Sequence, residues 1–148
     1  MSLQEQVTEQ LKVAMKAKDS VALESLRAIK SAILLAQTQV GAQDLTSDDE
    51  IKLVQKLVKQ RKDSAEIFRQ QGRNDLAEPE EAQIKIIEQF LPEQLDEESI
   101  AKVVDEIISQ ANAEGMKDMG KVMGMATKAM SGKADGKTIS AIVRQKLA

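Results

Sequence analysis

The chain has no cysteine, no histidine, no tryptophan and no tyrosine, and only two phenylalanines and two prolines among 148 residues. The missing cysteine excludes disulfides and thiolate chemistry. The missing histidine removes the commonest general base near neutral pH and the commonest transition-metal ligand. With aromatics at 1%, a core must be built from Leu, Ile, Val, Ala and Met, and no aromatic platform for base stacking is at hand. No run of about 18 apolar residues is present, so no transmembrane helix is expected. Met1 to Lys18 mixes charged with apolar residues and does not read as a signal peptide. These absences predict a soluble, cytoplasmic protein with no cofactor, no metal and no membrane attachment.

What is present favours helices. Hydrophobic residues make up 42% and charged residues 30%, and Ala, Leu, Lys, Glu and Gln are strong helix formers. Ser2 and Glu5 fit a capping box before a face of Leu3, Val7, Leu11, Ala14 and Met15. After a polar break at Lys16–Ser20, Leu26, Ile29, Ile33, Ala36 and Val40 make a heptad-like stripe, with Gly41 as its expected C-cap. Two helices joined by so short a break predict an antiparallel hairpin. Gln43 to Thr46 reads as a loop, and Ser47 with Glu50 as a second capping box. The third helix carries Ile51, Val54, Val58, Arg61, Ala65 and Phe68, widened by Leu53, Leu57 and Ile67, and Gly72 closes it.

The stretch Arg61–Leu95 holds both phenylalanines and both prolines. Arg73-Asn74-Asp75-Leu76 reads as a turn, Pro79 as the first turn of a new helix, and Ile84, Ile87, Phe90 and Leu91 as that helix's apolar edge. Pro92 ends it. Beyond lies a small helical unit of opposite charge. Asp96 caps its first helix (Ile100, Val103, Val104, Ile107, Ile108, Ala111), with Leu95 as a hydrophobic staple and Gly115 as the break. Asp118 caps a second (Met119, Val122, Met123, Ala126, Met130), which Gly132 stops. Asp135-Gly136 turns into a third (Ile139, Ile142, Val143, Leu147). The predicted fold is all-α, with a multi-helix N-terminal domain over 1–94 and a three-helix bundle over 95–148.

Charge is uneven. Residues 116–148 carry seven basic and two acidic groups, net +5, whereas 1–115 carry 14 basic and 22 acidic, net −8. A basic end on an acidic chain points to phosphate contact. Without aromatics in that end, folded RNA met through shape and phosphates fits better than stacked single strands. Lys133-Ala134-Asp135-Gly136-Lys137 could hold a phosphate on backbone N–H groups and two lysines. Ser99-x-x-Lys102 sits at a helix start and reads as chance. The acidic runs at Asp48–Glu50 and Glu78–Glu81 occupy expected helix N-termini, where acids are favoured anyway. Arg61 interrupts an apolar stripe, so it is expected either to meet a carboxylate or to reach past the core to water. Arg73 and Asp75 are expected to make capping or inter-helix hydrogen bonds.

Several runs together resemble the YqeY family. They are Leu26-Arg27-Ala28-Ile29-Lys30, Arg61-Lys62-Asp63-Ser64 through Phe68, Gly72 to Leu76, Glu81, and Phe90-Leu91-Pro92. Met119 to Met123 and Gly132 to Lys137 are similar to the GatB/YqeY tail that also closes GatB, a component of the glutamyl/aspartyl-tRNA amidotransferase. The resemblance to YqeY covers nearly the whole chain, and that to GatB only about the last third. It implies an all-helical protein of two domains, with a tail that helps recognise tRNA, and carbon–nitrogen ligase activity with glutamine as amide donor. By residue match Lys121, Lys133 and Lys137 would face tRNA; Lys128 and Arg144 join them on charge alone. Arg27, Lys30, Arg61, Arg73 and Asp75 are motif residues to which it gives no role. The leading expectation is an accessory protein of tRNA metabolism, not catalytic alone, whose tail contacts tRNA while its acidic N-terminal domain engages a protein partner. The alternatives are an amidotransferase-like component active only with a partner subunit, and a protein-interaction module without RNA binding.

Overall fold

A computed structural model describes residues 2–39 and 45–148. All regular structure among them is helical: seven α-helices and one 3-10 turn, with no strand. The residues group into two compact units, Met1–Leu91 and Pro92–Ala148.

In the first unit, α1 (Leu3–Ala17) begins where the Ser2 hydroxyl accepts the Glu5 N–H. It ends at Lys18 in the left-handed region, φ 55°. Asp19 then caps α2 (Ser20–Gln39) by accepting the Ala22 N–H at 3.1 Å. The two helices form the expected hairpin, and α2 is central, packing on α1, α3 and α4. Its Leu26, Ile29 and Ile33 are at most 2% exposed, and each such side chain is worth about 2–3 kcal/mol of transfer free energy. Ser25, the buried polar residue, donates its hydroxyl proton to the Val21 carbonyl. Met15 and Ile67, expected on the apolar faces, are 54% and 52% exposed: each sits at the edge of a stripe narrower than its apolar positions. Val40, Gly41 and Gln43 lie outside the described residues.

α3 (Ser47–Gln70) starts one residue earlier than expected. Thr46 is the N-cap, and its capping partner is Asp49, the two exchanging hydrogen bonds of 3.1 Å. Glu50 is drawn elsewhere, since its carboxylate accepts the Leu3 N–H at 2.7 Å and ties the start of α1 to α3. At the far end Gly72 takes φ 73°. The Arg73 N–H bonds to the Phe68 carbonyl and the Gly72 N–H to that of Arg69, which is the Schellman closure.

The next helix also begins earlier than expected. α4 spans Asn74–Glu88, so Arg73 to Leu76 is not a free turn, and Pro79 lies inside the helix. Proline removes the bond to the carbonyl four residues back, here that of Asp75, which is exposed to water. Ile84 and Ile87 are buried, and Phe90 and Leu91 pack on the same core.

In the second unit, Asp96 caps α5 (Glu97–Ala111) through the Ser99 N–H at 2.8 Å. Leu95 packs on the cluster holding Ile100, Val104 and Ile107. α5 ends at Asn112 (φ 53°) rather than at Gly115; asparagine tolerates the left-handed region better than other side-chain-bearing residues. A 3-10 turn (Met116–Asp118) leads into α6 (Met119–Ala129). Asp118 does not cap α6 with its side chain; its carboxylate accepts the Glu114 N–H at 2.9 Å and closes the preceding turn. Asp135 caps α7 (Gly136–Leu147) through the Thr138 N–H at 2.7 Å. The three helices pack pairwise around Val104, Val122, Ala126, Ile139 and Val143, each at most 1% exposed.

Candidate nucleic-acid interface

Lys121, Lys128, Lys133, Lys137 and Arg144 are all exposed. Lys121 and Lys128 lie seven residues apart on α6, opposite the buried Val122 and Ala126; Lys137 and Arg144 stand at the same interval on α7, opposite Ile139 and Val143. Seven residues are two turns, about 10 Å along each axis. Among the described residues, Lys121, Lys128, Lys133 and Arg144 have no ion-pair partner, whereas Lys117 pairs with Glu114 and Lys146 reaches Asp105 on α5.

Lys133 stands on a loop fixed from the inside. The Leu95 N–H donates to the Lys133 carbonyl at 2.8 Å, and Gln94 Nε2 donates to the Gly132 carbonyl at 2.7 Å. Gly132 is buried with φ 77°. Gln94 has no charge or motif to mark it; only the fold brings it 38 residues along the chain to this loop. The phosphate-holding reading of Lys133–Lys137 fares differently. The Asp135 carboxylate already occupies the N-terminus of α7, and it would repel an anion there.

The charge contrast between the units needs correction. The basic surplus was counted over 116–148 alone, whereas the compact unit, Pro92–Ala148, also includes acidic α5. Pro92–Ala148 holds eight basic and nine acidic groups, net −1, and Met1–Leu91 holds 13 and 15, net −2. The asymmetry therefore lies within the second unit: α6 and α7 are basic, and α5 bears Glu97, Glu98, Asp105 and Glu106.

The other motif residues find structural partners, with one exception. Among the described residues Arg61 meets no carboxylate directly. Its Nε donates to Gln83 Oε1 at 2.9 Å and its Nη1 to the Leu57 carbonyl, and Gln83 Nε2 in turn donates to Glu24 Oε2 at 3.0 Å. One amide thus joins α3, α4 and α2. Arg73 and Asp75 bond to each other in two parallel contacts of 3.1 and 2.9 Å. Arg69 grips Glu81 at 2.6 and 2.7 Å and reaches Asn74 at 3.2 Å, closing the α3–α4 corner. These bonds hold the Asp75 and Glu81 carboxyls below the usual range and raise both arginines. The Thr46 N–H and hydroxyl lower Asp49, and the Ser99 N–H and hydroxyl lower Asp96. Arg27 and Lys30 are the exception, exposed and without a partner among the described residues.

Among the described residues no group of three or more acidic side chains is placed to hold a metal ion, and no helix is long and apolar enough to cross a membrane. The sequence profile of the family described as Yqey-like protein matches residues 4–147. The chain belongs to this family. Among curated proteins, it is 31% identical over 113 residues to a glutamyl-tRNA(Gln) amidotransferase subunit of Thermococcus gammatolerans, covering 74% of this chain and 18% of that one. It is 33% identical over 127 residues to "Altered inheritance of mitochondria protein 41, mitochondrial" of Pyrenophora tritici-repentis, covering 84% and 68%. It is 43% identical over 91 residues to the Clavispora lusitaniae protein of the same name, covering 60% and 52%. The YqeY chain thus spans less than a fifth of the Thermococcus protein that it resembles. The fungal relatives overturn the expectation of a cytoplasmic protein, since their names are mitochondrial. The absence of a spanning helix could not have decided the compartment, because many compartments hold proteins without one.

Proposed function

We propose that this YqeY-family protein is an accessory protein of tRNA metabolism that contacts folded RNA through the α6–α7 face. The observation that supports the reading is the set of exposed cations, four of them without ion-pair partners among the described residues, on a chain whose relatives include a glutamyl-tRNA(Gln) amidotransferase subunit. Paired lysines are already neutralised, whereas free ones gain the full counterion-release advantage on meeting phosphates. Acidic α5 orients the bundle by repelling RNA from its own side. The mitochondrial names of the fungal relatives supply a setting, organellar tRNA, for the same activity.

The test is tRNA binding by the whole chain across a salt series, beside a variant with Lys121, Lys133 and Lys137 changed to alanine. The wild type is expected to weaken steeply with salt, and the variant's slope to flatten by roughly two to three, one for each phosphate no longer neutralised. A folded wild-type protein that fails to bind at low salt would overturn the reading. The similarity to the Thermococcus amidotransferase also supports a second reading, a component of a carbon–nitrogen ligase using glutamine as amide donor. With no cysteine in the chain, a thiol nucleophile for glutamine would have to come from a partner protein. Glutamine- and ATP-dependent amidation that requires both this chain and that partner is the outcome that favours it.

A further inference from the structure

Arg27 and Lys30 sit three residues apart on α2, where like charges disfavour the helix slightly, and neither has a partner among the described residues. They lie on a stripe with Leu23, Leu34 and Gln37, at intervals of 4, 3, 4 and 3. Gln37 Nε2 donates to Gln4 Oε1 on α1 at 3.3 Å. From Gln4 a matching stripe runs through Thr8, Leu11 and Met15, at intervals of 4, 3 and 4. Because α1 and α2 are antiparallel, this hydrogen bond sets the two stripes side by side along one edge of the hairpin, with Leu11 level with Lys30 and Met15 level with Arg27.

Neither stripe contains an acid, although acids outnumber bases in the unit. Leu34 is 48% and Met15 54% exposed, and Leu11 and Leu23 in the same stripes are half-buried. The edge is therefore a strip of two free cations bracketed by apolar side chains, about 20 Å long, the length of some 14 helical residues.

We propose that this edge docks an acidic amphipathic helix of a protein partner, its apolar ridge on Met15, Leu23 and Leu34 and its carboxylates on Arg27 and Lys30. Charge complementarity selects an anionic partner, and the interleaved leucines select one that brings apolar side chains with it. Nucleic acid would leave those leucines unused. A lipid surface needs a broad exposed apolar face, but the broad apolar faces of α1 and α2 are turned into the core.

The test is fluorescence anisotropy of a labelled 18-residue designed peptide, helical, with leucines at i, i+3, i+4 and i+7 and glutamates on both flanks, titrated with the full-length protein. Binding should saturate. It should weaken roughly tenfold or more in Arg27→Glu/Lys30→Glu and by a comparable factor in Leu34→Ser. A scrambled peptide of the same composition and the lysine-flanked version should not bind. Circular dichroism checks that each variant is folded, and Arg27→Ala/Lys30→Ala serves if the reversal perturbs the helix. Binding of tRNA should be the same in these variants as in wild type, which separates this proposal from the RNA reading. No saturable binding, equal affinity for the scrambled peptide, self-association as the only event, or loss of tRNA binding in the α2 variants would each overturn it.

Discussion

Gly124→Ala should make the protein more stable, although it alters a helix in the candidate interface. Gly124 lies mid-helix in α6 and is exposed, and a Cβ built there meets nothing within 4 Å. Alanine would remove the backbone-entropy penalty of a helical glycine, worth about 0.8–1.0 kcal/mol. For a unit of this size about 1 kcal/mol raises the midpoint by roughly 4–8 °C. At Gly132 the same substitution should act in reverse. There φ is 77°, a region in which a Cβ costs about 1–2 kcal/mol. Scanning calorimetry of the full-length protein measures both shifts. Methionine-methyl NMR assigns them, because five of the seven methionines lie between Met116 and Met130. A destabilised Gly124→Ala would refute the reasoning, because it would mean that a Cβ does meet something there. Stabilisation accompanied by weaker tRNA binding would instead show that a ligand approaches the helix backbone closely.

Gln83→Ala removes the amide that joins Arg61 to Glu24; it should lower stability by about 1–2 kcal/mol in urea denaturation, and a loss below about 0.3 kcal/mol would show that water replaces the amide. Thr46→Ala should cost about 1 kcal/mol and Ser47→Ala no more than about 0.5, because Thr46 is the residue that caps α3; equal losses would contradict that assignment. Acid should destabilise the chain. Asp49, Asp75, Glu81 and Asp96 are lowered by the folded state, so their contribution is complete above the unfolded carboxylate range near about pH 4 and is lost as the pH falls through their lower folded values. Denaturation followed from pH 7 to pH 2 should show a plateau and then a decline, and a flat profile would contradict it.

The long helices were readable because apolar periodicity and side-chain caps agree, as at Asp96 before Ile100 and at Asp135 before Ile139. Reading failed where two local solutions were equally good. Thr46 with Asp49 and Ser47 with Glu50 are interchangeable on paper, and what separates them is a bond from Glu50 to Leu3, 47 residues away. Pro79 looked like a helix start because local preference places proline there, while packing of Ala77 and Ile84 sustains α4 through it. Asn112 ended α5 three residues before a glycine that was the more obvious stop. At the site, the exposure of the lysines was legible as a polar face, but their lack of ion-pair partners was not. Likewise the motif named Arg61 and Arg27 without distinguishing the one held by an amide from the one left free. Such partnerships depend on which helices meet, and no local pattern encodes that.

The bond from the Leu95 N–H to the Lys133 carbonyl belongs to no helix. No local turn protects that proton, and it is held only while the segment before α5 and the loop after α6 stand together. In deuterated solvent its exchange should therefore report the parting of these two segments, an opening distinct from the fraying that exposes amides at the helix ends. One backbone proton thus reports on the closure between the start of α5 and the loop that carries Lys133, and a ligand gripping that loop would be visible as slower exchange there.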